Sequence, residues 1–350
     1  MSYPRFVLIG NGFDLAHGLK TSYRDFIDWY MCSCFKEFVN NGVYNDCLLD
    51  ITLLNPGTST IFPTEPQTIQ EVLDLINSTN TQKIKFNSHY FKRLVESFKN
   101  GNWIDIERNY FNTLTTFFKQ APINSSQHIV NVKLLNTHFD FLISRLTQYL
   151  DLINHQIPQC KKIFEDTRTN IYKALQLKED SPVTFVNFNY TDMLQGLNYA
   201  YENEIIHIHG QVSNKDRNPI IFGYGDETAP EYQQIEDSGE NAYLEHIKSF
   251  AYFKTNNYNK LIAGLDNEPY VVSVVGHSCG LSDRVLLNEI FEHKNCLEID
   301  IFFHKRADGS DNYKEITQEI SRHFKPHNKW MFRRKILPYN EENYIPQNIK

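Results

Sequence analysis

The 350-residue chain is long enough to bury a sizeable core and, on length alone, allows one to three domains. Hydrophobic residues at 41%, charged residues at 22% and a set of 25 Phe and 20 Tyr exclude wholesale disorder. A net charge of −7 excludes general nucleic-acid binding as the main role, and the local cluster Lys329, Arg333, Arg334 and Lys335 reads as a solvated terminal segment. Six cysteines without zinc-type pairing, a start without an apolar leader and no bilayer-length apolar run predict a reduced cytoplasmic protein with no membrane role.

The first predicted element is a strand, Phe6 to Ile9, followed by Gly10-Asn11-Gly12 and a helix. Tyr23, Phe26, Ile27, Tyr30, Met31, Cys34, Phe35 and Phe38 then recur at helical spacing. A loop-like stretch rich in proline, "NPGTSTIFPTEPQ" at 55–67, precedes more helical patterns at 89–98 and 103–118. Another helix is set by Val132, Leu135, Phe139, Leu142, Leu146 and Tyr149. Between about 20 and 178 no strand is expected.

The second half predicts strands in "PVTFVNFNY" (182–190), "NEIIHIHG" (203–210), "NPIIFGYG" (218–225), "PYVVSVVG" (269–276) and "CLEIDIFF" (296–303). Helical patterns such as "TDMLQGLNYAY", "AYLEHIKSFAYF", "LSDRVLLNEIFEH" and "NYKEITQEISRHF" separate several of them. Near-continuous apolar strands alternating with helices predict a mostly parallel α/β sheet with helices on both faces, and the N-terminal strand must join it. The expected organisation is an α/β domain from 1–22 and 179–335, a helical insertion at 23–178 and a C-terminal tail at 336–350, either docked or mobile.

Ligands of an open parallel sheet bind beyond the C-terminal ends of its strands. There the sequence places Gly10-Asn11-Gly12-Phe13-Asp14, Asn187-Phe188-Asn189-Tyr190-Thr191-Asp192, His207-Ile208-His209-Gly210, Gly223-Tyr224-Gly225-Asp226 and Gly276-His277-Ser278. Turn chemistry accounts for the glycines, but not for the histidine pair or the Asn-Tyr-Thr-Asp cluster. The first glycine turn lacks the third glycine of a dinucleotide fingerprint, where Leu15 stands, so an ordinary dehydrogenase is not expected. In the insertion, Asp105 and Glu107 read either as a helix start favoured by the helix dipole or as site-facing acids beside Trp103.

Two hydrolytic readings compete. "GHSCG" fits the serine elbow of α/β-hydrolases, with Ser278 as nucleophile and Asp300 and His323 as partners in the right chain order. His207 and His209, at i and i+2 on a strand, would share a face and could begin a metal site with His277, Asp226 or Asp283. The spacing supplies no further ligands, so no metal is expected, and His207 alone reads as a supporting residue.

The segments "LIGNGFDLAHGLKTSYRDF", "WIDIE", "FVNFNYTD", "IHIHG" and "VVGHSCGLSD" resemble, in order and over nearly the whole chain, the AbiH family of phage abortive-infection proteins. In abortive infection an infected cell stops growing or dies before phage can spread. The family is distantly similar to sirtuin-like NAD-binding domains, which implies a Rossmann-like sheet and NAD as substrate or ligand, with no other cofactor required. Carried over by position, the resemblance implies that Gly10, Asn11, Gly12 and Asp14 face the nucleotide, together with Thr191, Gly276, Ser278 and Asp283. It implies that Asn189 and His209 are catalytic, with His207, Asp105 and Glu107 as further site-facing candidates. Cleavage of the nicotinamide–ribose bond is the implied activity, with a phage-derived trigger and a homo-oligomer among the implied partners. The insertion would then cover the cleft or control assembly. The opening turn reads G-N-G rather than the sirtuin G-A-G, Thr191 stands where an Asp is usual, and no paired-cysteine zinc module is present. A deacetylase is therefore not expected. A nucleotide-binding sensor without hydrolysis stays open as the alternative.

Overall fold

The computed structural model describes residues 3–54, 65–78, 82–99, 105–120, 126–160, 182–196 and 203–345. Trp103 and most of the proline-rich stretch lie outside these residues. The chain forms two compact units. The first comprises Met1–Thr21, Leu150–Gln233 and His246–Lys350, and the second comprises Ser22–Tyr149 and Gln234–Glu245.

The first unit holds a five-stranded, all-parallel sheet. Its strands are β1 (Arg5–Ile9), β5 (Val183–Asn187), β6 (Glu204–His207), β7 (Tyr270–Val275) and β8 (Cys296–Phe302), in the order β6-β5-β1-β7-β8. β1 runs in register between its neighbours, with Ile9 opposite Asn187 on one side and Val275 on the other. Every residue of β7 is buried, as a central parallel strand covered on both faces requires. Phe6 and Leu8 of β1 and Val272 and Val274 of β7 pack with Leu261, Leu265, Leu286, Leu287, Ile290, Ile316 and Ile320. Those partners come from the helices Asn257–Asn267, Arg284–Glu292 and Tyr313–His323. The sheet is Rossmann-like. Strands later in the chain are added outward on both sides of β1, so the order reverses between β1 and β7 and opens a crevice at their C-terminal ends.

Residues 218–225 do not form the expected strand. Only ten residues separate β6 from this segment, too few for the crossover that a further parallel strand needs. The chain instead turns at Gly210, with φ +90°, and Ile221 N donates to the His209 carbonyl at 2.8 Å. Tyr224 then exchanges backbone bonds with His246 and Lys248. At the far edge, residues 336–345 lie along β8. Leu337 N donates to the Ile299 carbonyl, Ile345 N donates to the Phe303 carbonyl, and Ile345 is buried.

The second unit is helical around the expected stripes. Ser22 caps the helix Tyr23–Asn41 in a reciprocal box with Asp25, and Gly42 ends it at φ +75°. All six apolar positions expected on the helix Ser126–Asn154 are buried. The expectation of no strand here is corrected by a three-stranded antiparallel sheet of β2 (Val43–Asn45), β3 (Leu49–Leu53) and β4 (Gln82–Phe86). β2 has only three residues, and in β4, QKIKF, the alternation of lysine with Ile84 and Phe86 covers only four residues, too brief a run to stand out among the surrounding helical patterns. Asp46 makes the turn between β2 and β3 by accepting from Leu48 N and Leu49 N.

Candidate functional site

At the crevice, the glycine turn packs backbone against backbone. Gly10 N donates to the Val275 carbonyl at 3.1 Å and Gly12 N to the Gly276 carbonyl at 2.8 Å. A Cβ on Gly12 would stand 2.9 Å from the Gly276 Cα, and one on Gly276 would stand 2.3 Å from Phe13 N. The glycines thus let the ends of β1 and β7 close on one another. The helix that follows, Asn11–Ala16, has only six residues.

Polar side chains tie this turn to the end of β5. Asp14 is 1% exposed and accepts from Asn189 Nδ2 at 2.8 Å and Thr191 Oγ1 at 2.6 Å. Burial pushes its carboxyl up to about 7, against the pull of those two bonds. Asn189 also donates to the Gly10 carbonyl at 3.1 Å, and its own N–H donates to Asn187 Oδ1. Both amide hydrogens of Asn189 are therefore engaged, which leaves Oδ1 as its remaining acceptor. Asn11 accepts from the Thr21 hydroxyl.

The two histidines of the third strand part company. His207 ends β6 and lies 3.2 Å from Asn187 Nδ2 and against the Gln195 amide. His209 lies past the strand's end, just before the turn at Gly210. The shared-face metal reading loses its strand geometry there. Among the described residues no group of three or more His, Cys, Asp or Glu side chains is placed to hold a metal ion.

His209 instead meets Asp283, with Nε2 at 3.1 Å from Oδ1. Asp283 ends the short turn Leu281–Asp283 and starts the helix Arg284–Glu292. The same Oδ1 accepts from Lys248 Nζ at 2.7 Å, and Oδ2 lies 3.6 Å from His277 Nε2. His277 Nδ1 accepts the Cys279 N–H at 3.0 Å, so its proton sits on Nε2, toward Asp283. The Lys248 side chain is 1% exposed, those of His209 and His277 are 5% exposed, and that of Asp283 is 10% exposed. Burial alone would raise the Asp283 carboxyl, but Lys248 and then His209 hold it well below the usual carboxylate range. His277 is pushed down to about 4 by burial, and His209 is lowered by burial and then by the Lys248 charge. Phe188 packs edge-on to the His209 ring and against the His277 ring, next to Asn189 in the chain.

The serine elbow is not assembled. Ser278 is exposed, and it is the next residue, Cys279, that takes the positive φ of 53°. His323 Nε2 donates to the Cys279 carbonyl at 2.8 Å, while Asp300 accepts from Asn343. Among the described residues neither makes the triad's hydrogen bonds. Asp226, the remaining candidate ligand, accepts from Arg284 at 3.1 Å and from Thr228.

Asp105 and Glu107 belong to the second unit. Asp105 Oδ1 accepts Arg108 N and so caps the helix Ile106–Gln120, as the dipole reading expects, while Glu107 is buried in its first turn. Lys248 was not legible in the sequence. Its one signal is a cation within the otherwise apolar run Ile247 to Phe253, where only Ser249 is also polar.

A family model described as "Bacteriophage abortive infection AbiH" matches residues 6–305. No curated protein matches the chain.

Proposed function

Because the chain belongs to the bacteriophage abortive-infection family AbiH, which gives it a part in defence against phage, we propose that it acts there on NAD or a related nucleotide, hydrolysing the nicotinamide–ribose bond. The observation that carries this reading is the buried Asp283–His209 couple at the strand ends, in a Rossmann-like sheet with Asn189 on the neighbouring strand end. A carboxylate beside a neutral imidazole orients the ring and stabilises its cation once it takes a proton. His209 is the general base in this scheme. Asn189 presents Oδ1 to a water or ribose hydroxyl, with its amide held by Asp14 and Gly10. Loss of nicotinamide passes through an oxocarbenium-like transition state, so the attacking oxygen must be aligned before the bond breaks. The sirtuin-like pattern of glycine turn, Asn strand end and His-Gly strand end supports the choice of a nicotinamide nucleotide. Gly10, Asn11, Gly12, Asp14, Thr191, Gly276 and Ser278 form the nucleotide-facing set in this proposal, with Asp283 supporting the base.

A second reading is favoured by the way the ring of His209, the base of the first, already meets protein acceptors, Asp283 Oδ1 at 3.1 Å and the Phe188 carbonyl. It is a nucleotide-binding sensor without turnover. Purified protein incubated with NAD, with and without phage lysate, separates the two by nicotinamide release. The hydrolase reading expects release that falls at least about 100-fold in His209→Ala and in Asn189→Ala. Binding of NAD without release under any condition establishes the sensor, and full cellular protection by both variants overturns the site.

A further inference from the structure

Three basic side chains converge on the carboxylate of Asp283, but the interior there accommodates one full positive charge beside it. Lys248 Nζ is 2.7 Å from Oδ1, the distance of an ammonium–carboxylate bond, and His209 Nε2 is 3.1 Å from the same oxygen. His277 approaches Oδ2 with an N–H whose position is fixed by the Cys279 amide, so it contributes a dipole and no charge. A second cation would leave this buried cluster with a net positive charge, which a low-dielectric interior disfavours strongly.

We propose that Lys248 is the positioning residue of this site, claiming the Asp283 carboxylate so that the neighbouring His209 stays neutral and able to take up a proton. The use of that neutral ring in catalysis rests on the nucleotide-hydrolysis reading, whereas its protonation state does not. The groups facing His209 are Asp283 and Lys248, the Tyr252 hydroxyl at 3.5 Å and the Phe188 carbonyl, with His277 across the carboxylate. Asp283 and the Phe188 carbonyl favour the imidazolium, while Lys248 and burial oppose it. With the lysine charge removed, the carboxylate is left to His209, and the ring becomes the cation of the pair.

Ring nitrogen shifts of the full chain labelled with 15N-histidine read this directly, with His209→Gln assigning the signal. In the unaltered protein His209 is expected to be neutral at neutral pH, with its midpoint below the ordinary histidine value. Lys248→Met is expected to raise the ring's proton affinity at least about tenfold. Lys248→Arg is expected to restore the neutral ring, and Asp283→Asn to lower the affinity instead. A charged His209 at neutral pH in the unaltered protein overturns the proposal, and so does an unchanged midpoint in folded Lys248→Met. Should that variant not fold, a rise in Asp283→Asn overturns it equally. In parallel, the acid limb of nicotinamide release should move to higher pH in Lys248→Met. Absence of release in the unaltered protein counts against hydrolysis, while the ring titration still decides the role of Lys248.

Discussion

Gly276 and Gly309 both take a positive φ, +69° and +84°, yet their surroundings differ. A Cβ on Gly309 meets nothing within 4 Å, whereas one on Gly276 reaches Phe13 N at 2.3 Å and the Gly12 carbonyl carbon at 2.7 Å. Alanine at either site carries the strain of a left-handed L-residue, about 1–2 kcal/mol. At Gly276 the backbone of the first glycine turn must also shift. Gly309→Ala should therefore cost about 1–2 kcal/mol, and Gly276→Ala clearly more, measured by urea unfolding of both variants. Equal losses would mean that the two turns can separate freely. At this scale the motif read from sequence acquires a second meaning. The family resemblance implies that its glycines face a nucleotide, and the structure uses them to let β1 and β7 approach each other.

At the scale of elements, what could be read from sequence follows from how strongly each element is patterned. The stripe from Phe26 to Phe38 and the strands β1, β5, β7 and β8 are apolar enough that periodicity and turn residues identify them. β2 has three residues and β4 only a four-residue alternation of lysine with Ile84 and Phe86, so neither shows the near-continuous apolar run of the parallel strands, and both are held by ladder bonds to β3. The segment 218–225 has the composition of a strand without the chain length to reach a parallel position. The site shows the same limit. Asn189 and His209 follow strand ends and were visible by position, but the meeting of Lys248 with Asp283 depends on tertiary folding 35 residues apart. The edge of β8 allows a direct test. Residues 336–345 bridge it at Ile299 and Phe303 through Leu337, Asn343 and Ile345, covering part of an edge otherwise open to another chain. Ending the chain after Lys335 should lower the melting temperature and produce concentration-dependent association, followed by light scattering. A truncated chain that stays monomeric with unchanged melting would show that the segment does not protect the edge.

For the whole molecule, buried titratable groups set how stability follows pH, and they act in opposite directions. Burial pushes His17, His207 and His277 down to about 4, below the ordinary histidine value near 6.5. As pH falls from about 6.5 towards 4, the unfolded chain binds three protons at these sites that the native protein does not, and stability is lost. Asp14 behaves in the reverse sense. Its native carboxyl is pushed up to about 7, so the stability linked to its proton is present at low pH and lost as pH rises through about 7. Across the window from about 4 to 6.5, these three histidines oppose Asp14, a net of two protons from the four groups, and burial lowers His209 and His323 in the same sense as the three. These four groups contribute a slope on the order of 2–3 kcal/mol per pH unit, with acid destabilising the fold. Denaturant unfolding at about pH 5 and pH 6 should show that loss. His207→Gln should reduce the slope by about one proton's worth, and Asp14→Asn should steepen it by the same amount. A stability that stays level across the window would mean that these histidines become charged inside the native protein. His277 would then compete with Lys248 for the Asp283 carboxylate, and the charge balance around His209 would change with it.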